Sequence, residues 1–278
     1  MKTAKTTLVY KMFMYATLLF TVVVSVFPIL WIIMSSFKTN AAILSSPFTL
    51  PTQFSFEPYV SVYNKYNFQQ FGINSVVVST TSTLTSLVFY AMGAYVIAKY
   101  RFPGKNMLYI LFTVTLLVPA YARAQPIFSL IMTLGLYDTR TALYLVYLSS
   151  GMAMSMFVLK AAFESIPTEL IEAASIEGAN FINIALKISF PLTKSGLSTA
   201  GVLMFLANWN EYFYASLLTS STSNRTLPFA LRFFNEQFAY DYTRMFAAVT
   251  LVVLPAIIIY IIAQEQVQQS ISATGIKG

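Results

Sequence analysis

Long apolar stretches without a charged residue recur along this chain and are separated by short polar segments. A helix needs about 20 residues to cross a hydrocarbon layer of about 30 Å, so each stretch predicts a transmembrane helix. The pattern predicts six of them, at about residues 12–36, 72–98, 106–122, 141–163, 196–218 and 245–264. We therefore expect an all-α, polytopic membrane protein that forms a single domain over residues 1–278.

Three apolar stretches need separate comment. The third span is short and carries Pro119 near its outer end, which predicts a kink or an early exit from the membrane. Residues 124–137 are apolar but too few to span a bilayer, and they suit an interfacial helix better. The first span follows a basic N-terminus, as in a signal peptide. Its apolar core exceeds the roughly 7 to 15 residues of such peptides, so we expect it to be retained.

The positions of the positive charges predict the orientation. The N-terminus carries Lys2, Lys5 and Lys11, and the loop of residues 99–105 carries three further cations and no acid. Lys and Arg concentrate in cytoplasmic loops, so both segments are expected inside the cell. Counting the spans forward places residues 164–191 and the C-terminus on the cytoplasmic side as well.

The composition agrees with lipid as the solvent. Hydrophobic residues make up 57% of the chain and charged residues 10%, whereas soluble domains contain about 25% charged residues. The chain has no Cys and no His, which removes disulfides, the common metal ligands and the usual general base. We predict no metal site and no catalytic residue. The net charge of +7 suits anionic lipid, and no run of bases predicts nucleic-acid binding.

A charged insert, residues 164–191, separates the fourth and fifth spans and predicts a helix, a sharp turn and a second helix. Pro167 suits the first position of a helix that extends to about Ser175, in which Leu170, Ile171 and Ala174 are expected to share the apolar face. Gly178 is expected to end this helix with a positive φ. Asn180 is expected to cap the second helix, which Pro191 closes. A compact charged knob of this kind is where a membrane protein meets a soluble partner.

Two sets of side chains in the insert suit such a contact. Ala173 and Ala174 are small, so that a partner's backbone can approach the first helix closely. Glu169, Glu172 and Glu177 offer carboxylates to basic residues of that partner.

The spacing in the insert resembles the EAA loop of binding-protein-dependent ABC importer permeases. That loop reads EAA, three residues, G, nine residues and I-x-L-P. Residues 172–174, Gly178, Ile188 and Pro191 match it, with Phe190 where Leu is usual.

Further segments resemble the carbohydrate, maltose-type branch of these permeases. They are residues 166–167, 209–211 and 274–278.

The resemblance implies a function and partners. It implies the permease subunit of a sugar or oligosaccharide importer in the bacterial inner membrane, which couples ATP hydrolysis by another chain to alternating access. It implies a second permease subunit, an ATPase dimer that holds ATP and Mg²⁺, and an extracellular substrate-binding protein. The insert would be the coupling helix that docks on the ATPase. The coupling residues would be Glu169, Glu172, Ala173, Ala174, Glu177, Gly178, Ile188 and Pro191. An amphipathic hairpin that lies on the membrane surface is the alternative interpretation of the insert.

Polar residues in the fifth span form a second candidate site. Phe205, Asn208 and Tyr212 share a helical stripe, and Asn210 and Glu211 lie beside it. An ionisable residue at membrane depth is costly unless it faces protein or water, which makes Glu211 a functional candidate. Amides, a carboxylate and aromatic rings suit a sugar in a substrate path. Equally, the same polar groups would hold neighbouring helices together.

The chain shows no energy source of its own. Residues 196–201 are the nearest approach to a phosphate-binding loop, but Val202 and Leu203 follow where Lys and Ser or Thr are required. These small residues predict close helix packing instead. Uphill transport would therefore need ATP hydrolysis by a separate subunit.

The remaining segments leave alternatives open. Residues 38–71 and 219–244 are candidates for docking a binding protein or are ordinary solvated loops, and the tail of residues 272–278 resembles one that contacts an ATPase pair. A secondary transporter driven by an ion gradient is the alternative function, but the two halves show no evident internal repeat. An intramembrane enzyme would have to rely on Glu211 or a Ser alone.

Overall fold

The computed structural model describes residues 2–65, 67–149, 151–231 and 241–275, and these residues contain helices and no strand. The α-helices, numbered in chain order, are α1 Lys2–Ser35, α2 Asn40–Ser45, α3 Glu57–Lys65, α4 Phe68–Lys99, α5 Lys105–Val114, α6 Ala124–Thr133, α7 Arg140–Ser149, α8 Met152–Glu164, α9 Thr168–Ile176, α10 Phe181–Asn183, α11 Phe190–Leu192, α12 Lys194–Trp209, α13 Phe213–Leu218 and α14 Tyr242–Gly275. A π-helix, Ile184–Ser189, joins α10 to α11, and short 3₁₀ turns lie at Tyr121–Arg123 and Thr222–Asn224. The expected all-α class is confirmed.

Long apolar helices account for part of the predicted set of spans. Among the described residues, three helices are long and apolar enough to cross a membrane: Leu8–Ser35 within α1, Phe68–Lys99, and Tyr242–Ile262 within α14. A fourth span results if α7 and α8, which are bent by 46° relative to each other, are taken together. The number six stays a prediction, because the third and fifth stretches fold as shorter helices.

The third and fourth predicted spans are shorter or more bent than an ideal transmembrane helix. In the third, α5 ends at Val114, well before Pro119, which agrees with the expected early exit. In the fourth, Gly151 has φ +73 at the start of α8, a conformation that favours glycine and breaks the helix there.

The fifth predicted span is divided in two. Helix α12 has 16 residues, so at 1.5 Å per residue it extends only about 24 Å. The chain leaves the helix at Asn210 and re-enters one, α13, at Phe213.

The described chain divides into two compact units. The first comprises Met1–Phe68 and Leu231–Val253. Within it, Trp31 of α1 meets Phe246 of α14 edge to face, with ring centroids 5.2 Å apart, and its Nε1 donates a hydrogen bond of 2.8 Å to the Pro47 carbonyl. Within the described residues most of α1 is not covered by other parts of the chain, since none of the residues in its most apolar window is buried. Residues 232–240 of the outer segment 219–244 lie outside the described residues.

The second unit comprises Gln69–Ala230 and Leu254–Gly278. One of its cores is built from alanine, aliphatic and aromatic side chains of α4, α8, α9, α12 and the π-helix. Helices α8 and α12 approach very closely, because a Cβ added at Gly196 would lie 2.4 Å from the Ala162 Cβ. The expectation that the small residues of 196–201 serve helix packing is therefore confirmed at Gly196. The last three residues of the tail, 276–278, lie outside the described residues.

Candidate functional site

The insert of residues 164–191 begins at the end of α8, where the chain is anchored before it turns. Ile166 is buried, and the Lys99 ammonium at the end of α4 donates a hydrogen bond to its carbonyl. Pro167 follows as the residue that precedes the first turn of α9, one position earlier than expected. The fixed φ of proline suits this entry, and its missing N–H costs nothing where no intrahelical partner exists.

Helix α9 has a buried face and an exposed face. Ile171 and Ala174 are buried in the core of the second unit. Ala174, which we expected to allow the close approach of a partner, is therefore covered by the chain itself. Leu170 was expected on the buried face but is 46% exposed.

The exposed face of α9 carries acidic, small and apolar groups. Its members are Glu169, Glu172, Ala173, Ile176 and Glu177. Ile176 is 87% exposed, which makes it the most exposed large apolar side chain among the described residues. Three carboxylates around an apolar centre match the arrangement of a protein-docking surface, in which a polar rim surrounds an apolar contact.

The turn after α9 is fixed by backbone geometry. Gly178 has φ +83, as the sequence predicted. Its N–H donates to the Ser175 carbonyl at 3.1 Å, and the N–H of Ala179 donates to the Ala174 carbonyl at 3.0 Å. This pair of bonds is the Schellman motif, which satisfies carbonyls at a helix end and needs a left-handed residue. A side chain at Gly178 would meet no atom within 4 Å, so conformation alone favours glycine here.

The second half of the insert is helical as expected, but it contains a π-helix. The Asn180 side chain accepts a hydrogen bond of 2.9 Å from the Asn183 N–H, which confirms the predicted cap. Ile184 and Ala185 are buried, and Ile188 is half-buried against the same core. Pro191 is exposed and lies inside α11, which continues for one residue to Leu192. Contrary to our expectation, the proline therefore does not end the helix.

Side-chain contacts pack the insert against the helices of the second unit. Phe181 places its ring 5.5 Å from Tyr95 and 5.6 Å from Tyr100. Ile171, Ala174, Ile184 and Ala185 share one core cluster with residues of α4, α8 and α12. Full burial of a large aliphatic side chain stabilises by about 1.5–3 kcal/mol in an aqueous setting. A force applied to α9 therefore reaches the long helices through side-chain contacts.

The two amide side chains of the fifth predicted span bond to different partners. Asn208 is 2% exposed, and its Nδ2 donates a hydrogen bond of 3.1 Å to Thr83 Oγ1 of α4. Asn210 is exposed, and its side chain donates to the Leu206 carbonyl at 2.8 Å, at the end of α12. The Asn208 contact joins two helices, whereas the Asn210 bond stays at the end of its own helix.

Glu211 occupies the break between α12 and α13. One carboxylate oxygen accepts the Tyr214 N–H at 2.7 Å, and the other accepts the Ala215 N–H at 3.0 Å. The Tyr147 hydroxyl of α7 donates to the second oxygen at 2.8 Å. Since the first N–H groups of a helix have no intrahelical partner, the carboxylate caps α13 and ties it to α7.

The aromatic residues of the cluster lie on either side of this break. Phe205 stacks on Trp209, with ring centroids 5.7 Å apart. Tyr212 stacks on Phe229 at 6.1 Å, and the Arg225 guanidinium lies 4.1 Å from the centre of the Phe229 ring.

Four contact residues of this region were not predicted. They are Thr83, Tyr147, Arg225 and Phe229. None carries a distinguishing signal in the sequence, because Tyr147 is one of 18 tyrosines and Thr83 lies in an apolar helix.

Comparison with protein families places this geometry in a known group. The model of the family described as "Binding-protein-dependent transport system inner membrane component" matches residues 90–273, which include the whole insert and the fifth-span cluster.

Individual relatives match over nearly the whole chain. The chain is 34% identical to the inner membrane ABC transporter permease protein YcjP of Escherichia coli (strain K12), over 95% of both chains. It is 31% identical to the diacetylchitobiose uptake system permease protein NgcG of Streptomyces coelicolor, over 93% of this chain and 86% of the relative.

A solved structure has the same fold. It is a crystal structure of a bacterial ABC transporter involved in the import of the acidic polysaccharide alginate. The match has a TM-score of 0.81 and 25% sequence identity, and it covers 92% of this chain and 96% of the other.

Proposed function

Because the chain belongs to the family of binding-protein-dependent transport system inner membrane components, it is a transport permease, and we propose that its substrate is a sugar or an oligosaccharide. The relatives reported above support this class of substrate, since their names include a diacetylchitobiose permease and an alginate importer. They are ABC transporter proteins, so the alternative of a secondary transporter receives no support.

The chain acts as a non-catalytic subunit. Its sequence contains no phosphate-binding motif, so ATP and Mg²⁺ bind in a partner ATPase dimer. Sugar uptake is then coupled to hydrolysis that takes place in another polypeptide. The bilayer, a second permease subunit and an extracellular binding protein complete the set of partners.

The exposed face of α9 docks on the ATPase. The observation that carries this step is the division of the insert into a buried face and an acidic exposed face. The contact needs carboxylates that remain accessible, and Glu169, Glu172 and Glu177 are all exposed. Ala173 leaves room for the partner's backbone between them.

Docking moves the bundle because the insert is fastened to it. When the ATPase subunits close, α9 shifts, and its contacts with α4, α8 and α12 transmit the shift. A packed core resists gradual deformation, so the bundle moves as a rigid body between inward- and outward-facing arrangements.

The N- and C-termini and the insert face the cytoplasm in this arrangement. The basic loop of residues 99–105 supports this orientation, because Lys99, Arg101 and Lys105 concentrate on the same side as the insert. The ATPase then meets the insert inside the cell, and the binding protein meets the chain outside.

The substrate path passes the break in the fifth span. Phe205, Asn208, Asn210, Glu211 and Tyr212 surround that break. Asn208 and Glu211 bond to other helices, so they shape the path and stay out of direct sugar contact. Tyr212 and Phe205 are half-buried and supply ring faces toward it.

Reconstituted transport tests the proposed function. Liposomes that contain this chain, the permease and ATPase encoded beside its gene and the adjacent binding protein are loaded with ATP. Maltose, trehalose, diacetylchitobiose and an alginate trisaccharide are offered outside. We expect uptake of at least one sugar with ATP and none with a non-hydrolysable analogue. Uptake that ignores ATP and follows a proton or sodium gradient would contradict the proposal.

A further inference from the structure

A cavity of about 360 Å³ with polar and apolar walls lies within the first unit. Its wall is formed mostly by residues 37–58 and completed by Asp241, just before α14, and by Thr243 and Arg244 in its first turn. Ligand pockets in proteins measure about 300–1,000 Å³, so this cavity suits a ligand of one or two sugar rings. By the charge pattern of the loops, residues 38–71 lie outside the cell.

The charged groups in the wall are locked in place. Arg244 donates through Nε to Ser61 Oγ at 3.0 Å, through one terminal nitrogen to Asp241 and through the other to Glu57 Oε1 at 3.1 Å. Lys38 is 5% exposed and donates to the carbonyls of Ser46 and Pro47. The walls therefore keep their shape when the cavity is empty, which lowers the entropic cost of binding.

The wall has no net charge. Lys38 and Arg244 contribute two positive charges, and Glu57 and Asp241 contribute two negative charges. The two oxygens of Asp241 are both occupied by Arg244, through its backbone and its side chain. A charged ligand gains little electrostatic attraction from a wall without net charge, whereas the binding of an uncharged polar ligand does not depend on such attraction.

Free hydrogen-bonding groups remain for an uncharged ligand. The Glu57 side chain is 64% exposed, and within the described residues its second oxygen, Oε2, accepts no hydrogen bond. Thr52 and Gln53 are exposed and make no hydrogen bond within the described residues. A carboxylate oxygen, an amide and a hydroxyl in one small cavity match the hydroxyl groups of a sugar.

An aromatic wall completes the site. Phe37 lines the cavity, and its ring is held by Phe54, Phe56 and Tyr59, with centroid distances of 5.3 to 5.5 Å. Rings held in this way offer apolar area for the C–H face of a sugar, the usual complement to a few polar groups.

We propose that the cavity between residues 37–58 and the start of α14 is an accessory binding site for an uncharged mono- or disaccharide on the outer side of the permease. This inference rests on the proposed function only for the class of ligand and for the side of the membrane. Its role would be to hold sugar on the outer side of the permease.

Labelling of a single cysteine tests the proposal, because the chain has none of its own. Gln53→Cys places a thiol in the cavity wall, and Ser223→Cys places one at an exposed position of the other unit as a matched control. The rate of maleimide labelling is measured on the full complex in nanodiscs with maltose, trehalose, diacetylchitobiose or an alginate trisaccharide.

A neutral sugar is expected to slow labelling at residue 53 about tenfold when present at ten times its Kd, because the thiol reacts only in the empty site. Labelling at residue 223 should not change. Glu57→Gln in the Gln53→Cys background should raise the sugar concentration for half protection, whereas Glu265→Gln, at an exposed position in α14, should not.

Three results would overturn the proposal. One is the absence of protection by every sugar, including any that the same complex imports with ATP. Another is protection by the alginate trisaccharide alone, which would assign an acidic ligand. The third is protection by the sugar-free binding protein without protection by sugar, which would make the cavity a protein-docking surface. Uptake is measured separately, so failure of the accessory site leaves the transport result intact.

Discussion

Replacing Glu211 by Gln separates a structural role from direct sugar contact. The carboxylate accepts three hydrogen bonds, from the N–H groups of Tyr214 and Ala215 and from the Tyr147 hydroxyl. An amide in the same place has one accepting oxygen and one donating nitrogen. If the oxygen takes the position of Oε2, the bonds from Ala215 and Tyr147 survive, and the bond from Tyr214 is lost.

The expected magnitude follows from that count. A helix cap contributes about 1 kcal/mol, and a hydrogen bond to a charged group contributes about 1.5–3 kcal/mol. Interhelical polar contacts in membranes contribute about 0.6–2 kcal/mol. Glu211→Gln loses one bond of three and the charge that strengthens the others, so we expect a destabilisation of about 1–2 kcal/mol. Glu211→Ala loses all three bonds and leaves the buried Tyr147 hydroxyl without its carboxylate partner, so its effect should be about twice as large.

Thermal stability in detergent and competitive uptake are measured on the same preparations. Tyr147→Phe is the matched control, since it removes the interhelical bond and leaves the helix cap in place. The destabilisation of the double variant Tyr147→Phe with Glu211→Ala should be smaller than the sum of the two single effects. Each single change already removes the same hydrogen bond, from the Tyr147 hydroxyl to the Glu211 carboxylate. Sugar preference should be unchanged in every variant. An unchanged stability together with an altered sugar preference in Glu211→Gln would refute the structural role.

Further predictions concern the insert and two other contacts. Gly178→Val should strain the left-handed turn by about 1–3 kcal/mol and lower co-purification of the ATPase, whereas Gly178→Asn should do so less; equal yields for both would contradict this.

Glu172→Lys should weaken ATPase binding with normal membrane insertion, and Glu172→Gln should have a smaller effect; intact ATP-coupled uptake in Glu172→Lys would exclude the docking role. Asn208→Ala should lower thermal stability by about 0.6–2 kcal/mol without altering sugar preference, and an altered preference would return Asn208 to the substrate path. For Asp138, burial raises the pKa of its carboxyl, but hydrogen bonds from Ser221, Ser220 and Asn224 outweigh burial and hold that pKa well below its usual value. Its contribution to stability should be complete above about pH 4 and be lost as the pH falls below that, and Asp138→Ala should remove this dependence.

Features that depend on neighbouring residues in the chain could be predicted from the sequence. The positive φ of Gly178 and the cap by Asn180 follow from local chemistry, since only a few residue types suit a left-handed turn or an N-cap. The same reasoning placed Ile171 on the buried face of α9. It was wrong for Leu170, which is exposed, because two neighbouring residues such as Leu170 and Ile171 point in different directions from a helix.

Features that depend on distant residues could not be predicted. At the break of the fifth span, Glu211 accepts a hydrogen bond from the Tyr147 hydroxyl, 64 residues earlier. Asn208 donates a hydrogen bond to Thr83, 125 residues away. Hydropathy sums residues within one window and contains nothing about such pairs, so the span appeared continuous. For the same reason the sequence left the role of the polar cluster undecided between substrate contact and helix packing.

Burial of Ala174 shows a different limit. The alanine pair of the EAA-like segment was expected to face a partner, but only Ala173 is exposed, because successive helical residues are separated by about 100°. A motif names residues that recur together and does not say which of them faces inward.

The close contact between Gly196 and Ala162 stiffens the base of the insert. Helix α8 leads into the insert and α12 leads out of it, and at this point their surfaces touch with no side chain at Gly196 between them. Because no side chain at Gly196 separates α8 from α12, there is little between them to compress. A displacement of α9 therefore moves the two helices together as one body. Under the proposed function, the motion that the insert passes to the bundle therefore depends on the absence of a side chain at Gly196.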